Sequence, residues 1–170
     1  MGVSGSPGSL RALRYAAEVA QVRYALVVPV IAWVPPGGDL ADRRCPSPYL
    51  RATWKDAAAT RLTEAIDLAF GGPPDDVVLQ PAVLRGETGP VLVCAASEPG
   101  DLIVIGTGRR GPIERVIGGH VARYCLARAA CPVVAVPPAE LEQASRGFRG
   151  WAFRHRAVTA DAALHAAGCR

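Results

Sequence analysis

Asp101-Leu102-Ile103-Val104-Ile105-Gly106-Thr107-Gly108-Arg109-Arg110-Gly111 runs from an acidic residue through an apolar stretch into a loop rich in Gly and Arg. Further on, Gly118-Gly119-His120-Val121 opens a segment of helical character, and Cys131-Pro132-Val133-Val134-Ala135-Val136 is a second apolar run. Strand, glycine-rich loop, helix, strand is the order in which α/β proteins turn backbone N–H groups toward phosphate. If the chain has one ligand site, this stretch holds it.

The same alternation extends outward. Ser6-Pro7 marks a helix start, a capping hydroxyl followed by a residue whose missing N–H costs nothing there. Leu10, Leu13, Ala17, Ala20 and Tyr24 then recur at helical spacing. Leu26 to Val34 is nearly all apolar, as expected of a strand buried on both faces, and Pro35-Pro36-Gly37-Gly38 ends it. A surface loop is expected up to Pro48, passing over a site. Leu50, Trp54, Ala58, Leu62, Ile66 and Ala69 mark a long amphipathic helix stopped by Gly71-Gly72. Asp76 to Leu84 reads as a strand that Pro81 assigns to an edge, and Gly86 to Gly89 leads into a helix through Ala96. Leu102 to Ile105 and Val133 to Val136 read as strands, with a helix over Gly118 to Ala129 between them. Strands alternating with helices predict an α/β fold with a doubly wound parallel sheet.

Bulk properties narrow the class. A chain of 170 residues, half of it hydrophobic and a fifth charged, fits one compact domain with a tail. The net charge of +4 comes almost wholly from Arg, since Lys55 is the one lysine. Its plainer source is a genome biased toward Arg, Ala and Pro, and the modest value argues against nucleic-acid binding. The five Cys contain no C-x-x-C pair, and Cys94, Cys125 and Cys131 read as small buried hydrophobes in a reducing cytoplasm. No signal sequence or membrane-spanning run is expected; Tyr24 to Val34 is the longest apolar stretch and contains Pro29.

Glycines permit close backbone approach, a helix N-terminus adds partial positive charge, and Arg109 and Arg110 suit phosphate oxygens. The plainer reading is a tight connection with solvated arginines. No G-x-x-x-x-G-K-[ST] occurs, which excludes a P-loop NTPase. No Ser-His-Asp or Cys-His set accompanies His120, so no catalytic residue is expected.

Val3-Ser4-Gly5-Ser6-Pro7-Gly8-Ser9, Ile105-Gly106-Thr107-Gly108-Arg109-Arg110-Gly111, the Gly118-Gly119 start and Cys131-Pro132-Val133-Val134-Ala135-Val136 together resemble the universal stress protein family. The likeness runs in order and spacing over about residues 1 to 137. It implies a five-stranded parallel sheet with flanking helices, Rossmann-like and related to the adenine nucleotide alpha hydrolases. It also implies a homodimer through the last strand, here Val133 to Val136, and in many members bound ATP, with Mg²⁺ arriving only with the nucleotide. The family's pattern G-x2-G-x9-G-[ST] falls here on Gly106, Arg109, Gly119 and His120, so two of its positions depart. Gly108 and Arg110 flank the altered position, and Val121 continues the segment after His120. The adenine-contacting Asp falls at Ser4, which lacks the carboxylate, and Ala32 takes the small apolar position beside ribose or base.

The first strand is almost missing, because only Met1-Gly2-Val3 precedes Ser4. A central strand that short leaves neighbouring backbone groups unpaired, so a start upstream of Met1 is expected. The domain is expected over residues 1 to 138. A basic and aromatic extension follows from 139 to 170, with Phe148, Trp151 and Phe153 among Arg146, Arg149, Arg154 and Arg156. Such a tail suits packing on its own domain or a dimer mate better than stacking on nucleic acid. The expectation is a cytoplasmic stress regulator that binds an adenine nucleotide without efficient turnover and acts on a protein partner. The alternative is a nucleotide-free dimeric interaction module.

Overall fold

The structure is a computed structural model that describes residues 1–72, 74, 76–107 and 114–137, with side chains in the fifth helix from Gly119 onward. Among the described residues the elements follow in the order α1 (Pro7–Arg23), β1 (Val30–Trp33), α2 (Gly38–Arg44), α3 (Pro48–Phe70), β2 (Ala82–Arg85), α4 (Thr88–Ala95), β3 (Ile103–Gly106), α5 (Glu114–Arg128) and β4 (Val133–Val136). β1 pairs in parallel with β2, Val30 opposite Ala82, and β3 with β4, Ile103 opposite Val133.

Met1–Val3 lies between these pairs. The Val3 amide donates to the Val30 carbonyl at 2.8 Å, and the Val30 amide to the Met1 carbonyl at 2.8 Å. On the other side the Gly2 amide donates to the Val104 carbonyl at 3.1 Å. So Met1–Val3 links the two pairs.

The two-residue period of the strands sorts side chains between two layers. Val3, Ile31, Val104 and Val136 join Ala12, Leu13, Ala16, Ala17, Leu62 and Ile66 of α1 and α3. Val30, Ile103 and Ile105 join Leu92 of α4 and Cys125 of α5. Helices therefore cover both faces, and the near-continuous apolar strands follow from burial on each side. Cys125 is buried, and burial, with Cys131 next, pushes its thiol pKa up, as suits a structural hydrophobe. Cys94 is exposed, contrary to the expectation for it, because it sits on the outer side of α4.

Local chemistry explains the helix ends. Ser6 caps α1 by accepting from the Ser9 amide at 3.3 Å, with Pro7 in the first turn. Ser47 caps α3 in the same way, and Gly71, at φ 76°, closes it. Arg14 of α1 donates to the Ala69 and Leu68 carbonyls at 2.7 and 3.2 Å, so one helix caps the end of the other.

Two expectations are corrected. Residues 35–48 contain α2 where a loop was expected. Asp42 of α2 is buried and held by two arginines from outside it, which no local pattern could announce. The run Leu26–Val34 forms regular strand only over Val30–Trp33, because Pro29 has no N–H to give, and Val27 keeps one bridge to Leu79. Among the described residues, no helix is long and apolar enough to cross a membrane.

Candidate functional site

The carboxyl ends of Met1–Val3, β1 and β3 come together where the first turn of α1 begins. Open α/β sheets bind ligands at this end, outside the strand termini. Ser4 is exposed here; its amide donates to Ser9 Oγ at 3.3 Å and its hydroxyl lies 3.0 Å from Ser6 Oγ. Gly5, at φ 72°, makes the turn that brings Ser4 and the α1 N-terminus side by side. Ala32, half-buried, sits one residue from the end of β1 opposite Leu84. Thus Ser4, Ala32 and Gly106, distant in sequence, all stand at the strand ends.

Gly106 is required for a reason that spacing did not reveal. A Cβ there would lie 2.3 Å from the Gly8 carbonyl oxygen and 2.7 Å from the Ser9 amide nitrogen. The glycine lets the first turn of α1 pack directly on the end of β3. Thr107 continues from it, its amide and hydroxyl both donating to the Val136 carbonyl at 2.8 and 3.1 Å. Sequence reasoning passed over Gly8, Ser9 and Thr107, although their proximity to the singled-out glycine and serine was a usable signal.

The second half of the expected cradle is arranged differently. α5 begins by Glu114, so Gly119 and His120 lie beyond its first turn and Gly118 is no helix start. Amides that far into an α-helix are taken by carbonyls four residues back and do not face a ligand. A Cβ on Gly119 would meet open space, and His120 is exposed. Val121 packs with the layer that holds Cys125. Gly108, Arg109 and Arg110 lie outside the described residues.

Beside this end, α2 supplies a charged cluster that no local sequence pattern announced. Asp42 accepts from Arg51 Nε at 2.9 Å and from Arg85 at 2.8 Å, while Arg85 also reaches Asp39. The hydrogen bond from Arg51 comes first among the causes that hold the Asp42 carboxyl below its usual range; the Arg85 bond adds to it against the cost of burial. The guanidinium of Arg85 lies 5.8 Å from the Trp33 ring centroid. These groups are mutually satisfied and tie α2 across the ends of β1 and β2. Among the described residues, no group of His, Cys, Asp and Glu is placed to hold a metal ion.

The chain matches the universal stress protein family over residues 1–137. Among solved structures, the universal stress protein UspA from Lactobacillus plantarum superposes with a TM-score of 0.56 at 20% identity, covering 79% of this chain and 93% of that one. A universal stress protein crystallised in complex with cAMP gives 0.51 at 22% identity, covering 82% and 94%. No curated protein matches the sequence. The extent of the match, most of the chain, assigns it: the protein belongs to the universal stress protein family.

Proposed function

From that membership we propose that the protein is a stress-response regulator that binds an adenine nucleotide at the carboxyl ends of its strands and does not turn it over efficiently. The observation that carries the reading is the meeting of Ser4, Ala32 and the N-terminus of α1 at one place. Ala32 offers a small apolar wall for a base or ribose, and the Ser4 hydroxyl a hydrogen bond. The α1 N-terminus carries partial positive charge toward phosphate. Arg109 and Arg110 would add charge to the phosphate side, where Gly119 and His120 supply no free amides. Mg²⁺ would come only as the nucleotide's own ion. The cAMP held by a structural relative is consistent with this ligand class.

Within the same reading, Met1–Val3 is the central strand of a five-stranded parallel sheet, and β4 is the dimer strand of a cytoplasmic protein. Binding changes affinity for a protein partner, and the free-energy coupling between the two sites is the function. Calorimetry with ATP, ADP, AMP and cAMP tests it. Saturable heat is expected with at least one of them, reduced in Arg109→Ala and abolished in Ala32→Phe.

A second reading has its own support. Gly106 is fully accounted for by packing on Gly8, and α5 consumes the amides of Gly119 and His120. β4 pairs only with β3 among the described residues, and Ala135 is exposed on it. A nucleotide-free module that pairs through Val133–Val136 fits these facts. No heat and no thermal shift at millimolar nucleotide, together with a dimer disrupted by Ala135→Lys, would select it.

A further inference from the structure

The short helix α2 is turned inside out: its Asp42 is buried while its Leu40 is 72% exposed. A helix of seven residues does not persist alone, so its surroundings hold it in this attitude. Gly37 and Gly38, at φ 82° and 76°, turn the chain off β1, and the Gly38 amide donates to the carbonyl of buried Pro35 at 2.8 Å. Asp42 then takes Arg51 of α3 and Arg85 of β2, and Asp39 takes Arg85 as well. Both carboxylates of α2 are thereby matched by arginines from other elements.

The outer face has a different character. Leu40, Arg43 and Arg44 stand at i, i+3 and i+4, so they share one side of α2, and all three are exposed. Tyr49, 78% exposed, and Leu50 follow in the first turn of α3, which the bond from Arg51 to Asp42 ties to α2. Val34, also exposed, precedes α2. The stretch 34–50 thus holds four large apolar side chains in water, with two arginines beside them. Folding alone would bury the leucine and expose the aspartate; an apolar patch kept outward with a polar rim marks an interaction surface.

We propose that this face docks an acidic segment of a partner protein, with large apolar side chains seated on Leu40 and Tyr49 and carboxylates toward Arg43 and Arg44. Charge decides the occupant. A second copy of the chain on a twofold axis would set these arginines against their own counterparts. Nucleic acid draws its affinity from neutralising many phosphates, and two arginines among apolar groups are too few. An acidic, apolar segment answers both halves of the face, burying the apolar side chains at the centre and pairing charge at the rim. This surface gives the partner class that the regulatory reading above leaves open. It rests on that reading for its purpose alone, since docking here requires no nucleotide.

The test selects random dodecapeptides displayed on phage against the full chain with no nucleotide present. Enriched peptides should combine Asp or Glu with Leu, Phe or Trp. The most enriched one, synthesised, should bind saturably and lose about tenfold in affinity both to Leu40→Ser and to Arg43→Glu with Arg44→Glu. Both changes fall on exposed side chains, so melting temperature should stay that of the parent. Selection against the doubly substituted chain should enrich basic peptides in place of acidic ones. The idea is overturned if the enriched peptides lack an acidic bias, or if they bind both variants undiminished. It is overturned as well if the parent sediments as a dimer that Leu40→Ser dissociates, which would make the face a contact between copies. Acidic peptides bound in the absence of any nucleotide heat would strike the nucleotide reading and leave this one standing; nucleotide heat without acidic enrichment would do the reverse.

Discussion

The two ends of the strands solve opposite problems. At the carboxyl end, backbone packs against backbone so closely that Gly106 has no room for a side chain beside Gly8. At the amino end the strand pairs separate around a cavity lined by Leu26–Val28 and Leu102–Val104, with the Met1 nitrogen donating to the Val28 carbonyl. The dense end is where the proposed nucleotide reading points. The open end lies beside Met1–Val3, which hydrogen-bonds to both strand pairs. Close packing near a ligand site fixes geometry; a gap at the far end lowers stability without disturbing that geometry.

The largest effect expected from this contrast is at Gly106. Gly106→Ala should destabilise the fold by about 3 kcal/mol or more, since the Cβ would meet main chain and not a movable side chain. Denaturant unfolding measures it, and a loss under 1 kcal/mol would show that the dense end is looser than its geometry.

The open end should reveal itself through pH. The Met1 amine has a folded pKa of about 6 against 8.0 when free, so between these values the unfolded chain binds more protons. Stability should therefore rise as pH climbs from 6 to 8, by about 2–3 kcal/mol at most. N-terminal acetylation should flatten that slope; an unchanged slope would mean that the amine is hydrated.

The charged cluster over β1 and β2 should show the reverse dependence. Asp42 has a lowered pKa in the fold, so its contribution is present above the usual carboxylate pKa and disappears as pH falls through the folded value. The melting-temperature gap between the protein and Asp42→Asn should be widest near neutrality and close in acid. The smallest effect is expected at Gly119, where Ala should stabilise α5 by about 1 kcal/mol because the space around it is open. If the same change abolishes nucleotide binding, the glycine serves the ligand despite its place inside the helix.

Much of this architecture was readable in advance, and the failures have physical causes. Ser6-Pro7, Gly71 and the apolar periods marked α1 and α3 because capping and burial are local. α2 escaped because its order depends on Arg51 and Arg85, partners supplied by other elements. Gly118-Gly119 reads as a helix start, but the helix begins by Glu114 and passes through them, and the packing of Val121, Ala122 and Cys125 outweighs a glycine's modest cost. At the candidate site, Ser4 was singled out by the family resemblance and Gly106 by the glycine-rich loop, and both stand at the strand ends. The reason for Gly106 lay in Gly8, a contact that no spacing within one loop encodes.

The placement of Met1–Val3 between β1 and β3 also bears on how the chain is made. Met1–Val3 can complete its pairing only when Val104 emerges, about a hundred residues later. Until then α1 has its apolar face uncovered on the β3 side, in the interval when nascent chains are most open to capture by chaperones or to misassociation. Delay in finding this last seam, more than weakness of any single element, sets the vulnerable period of the protein's birth.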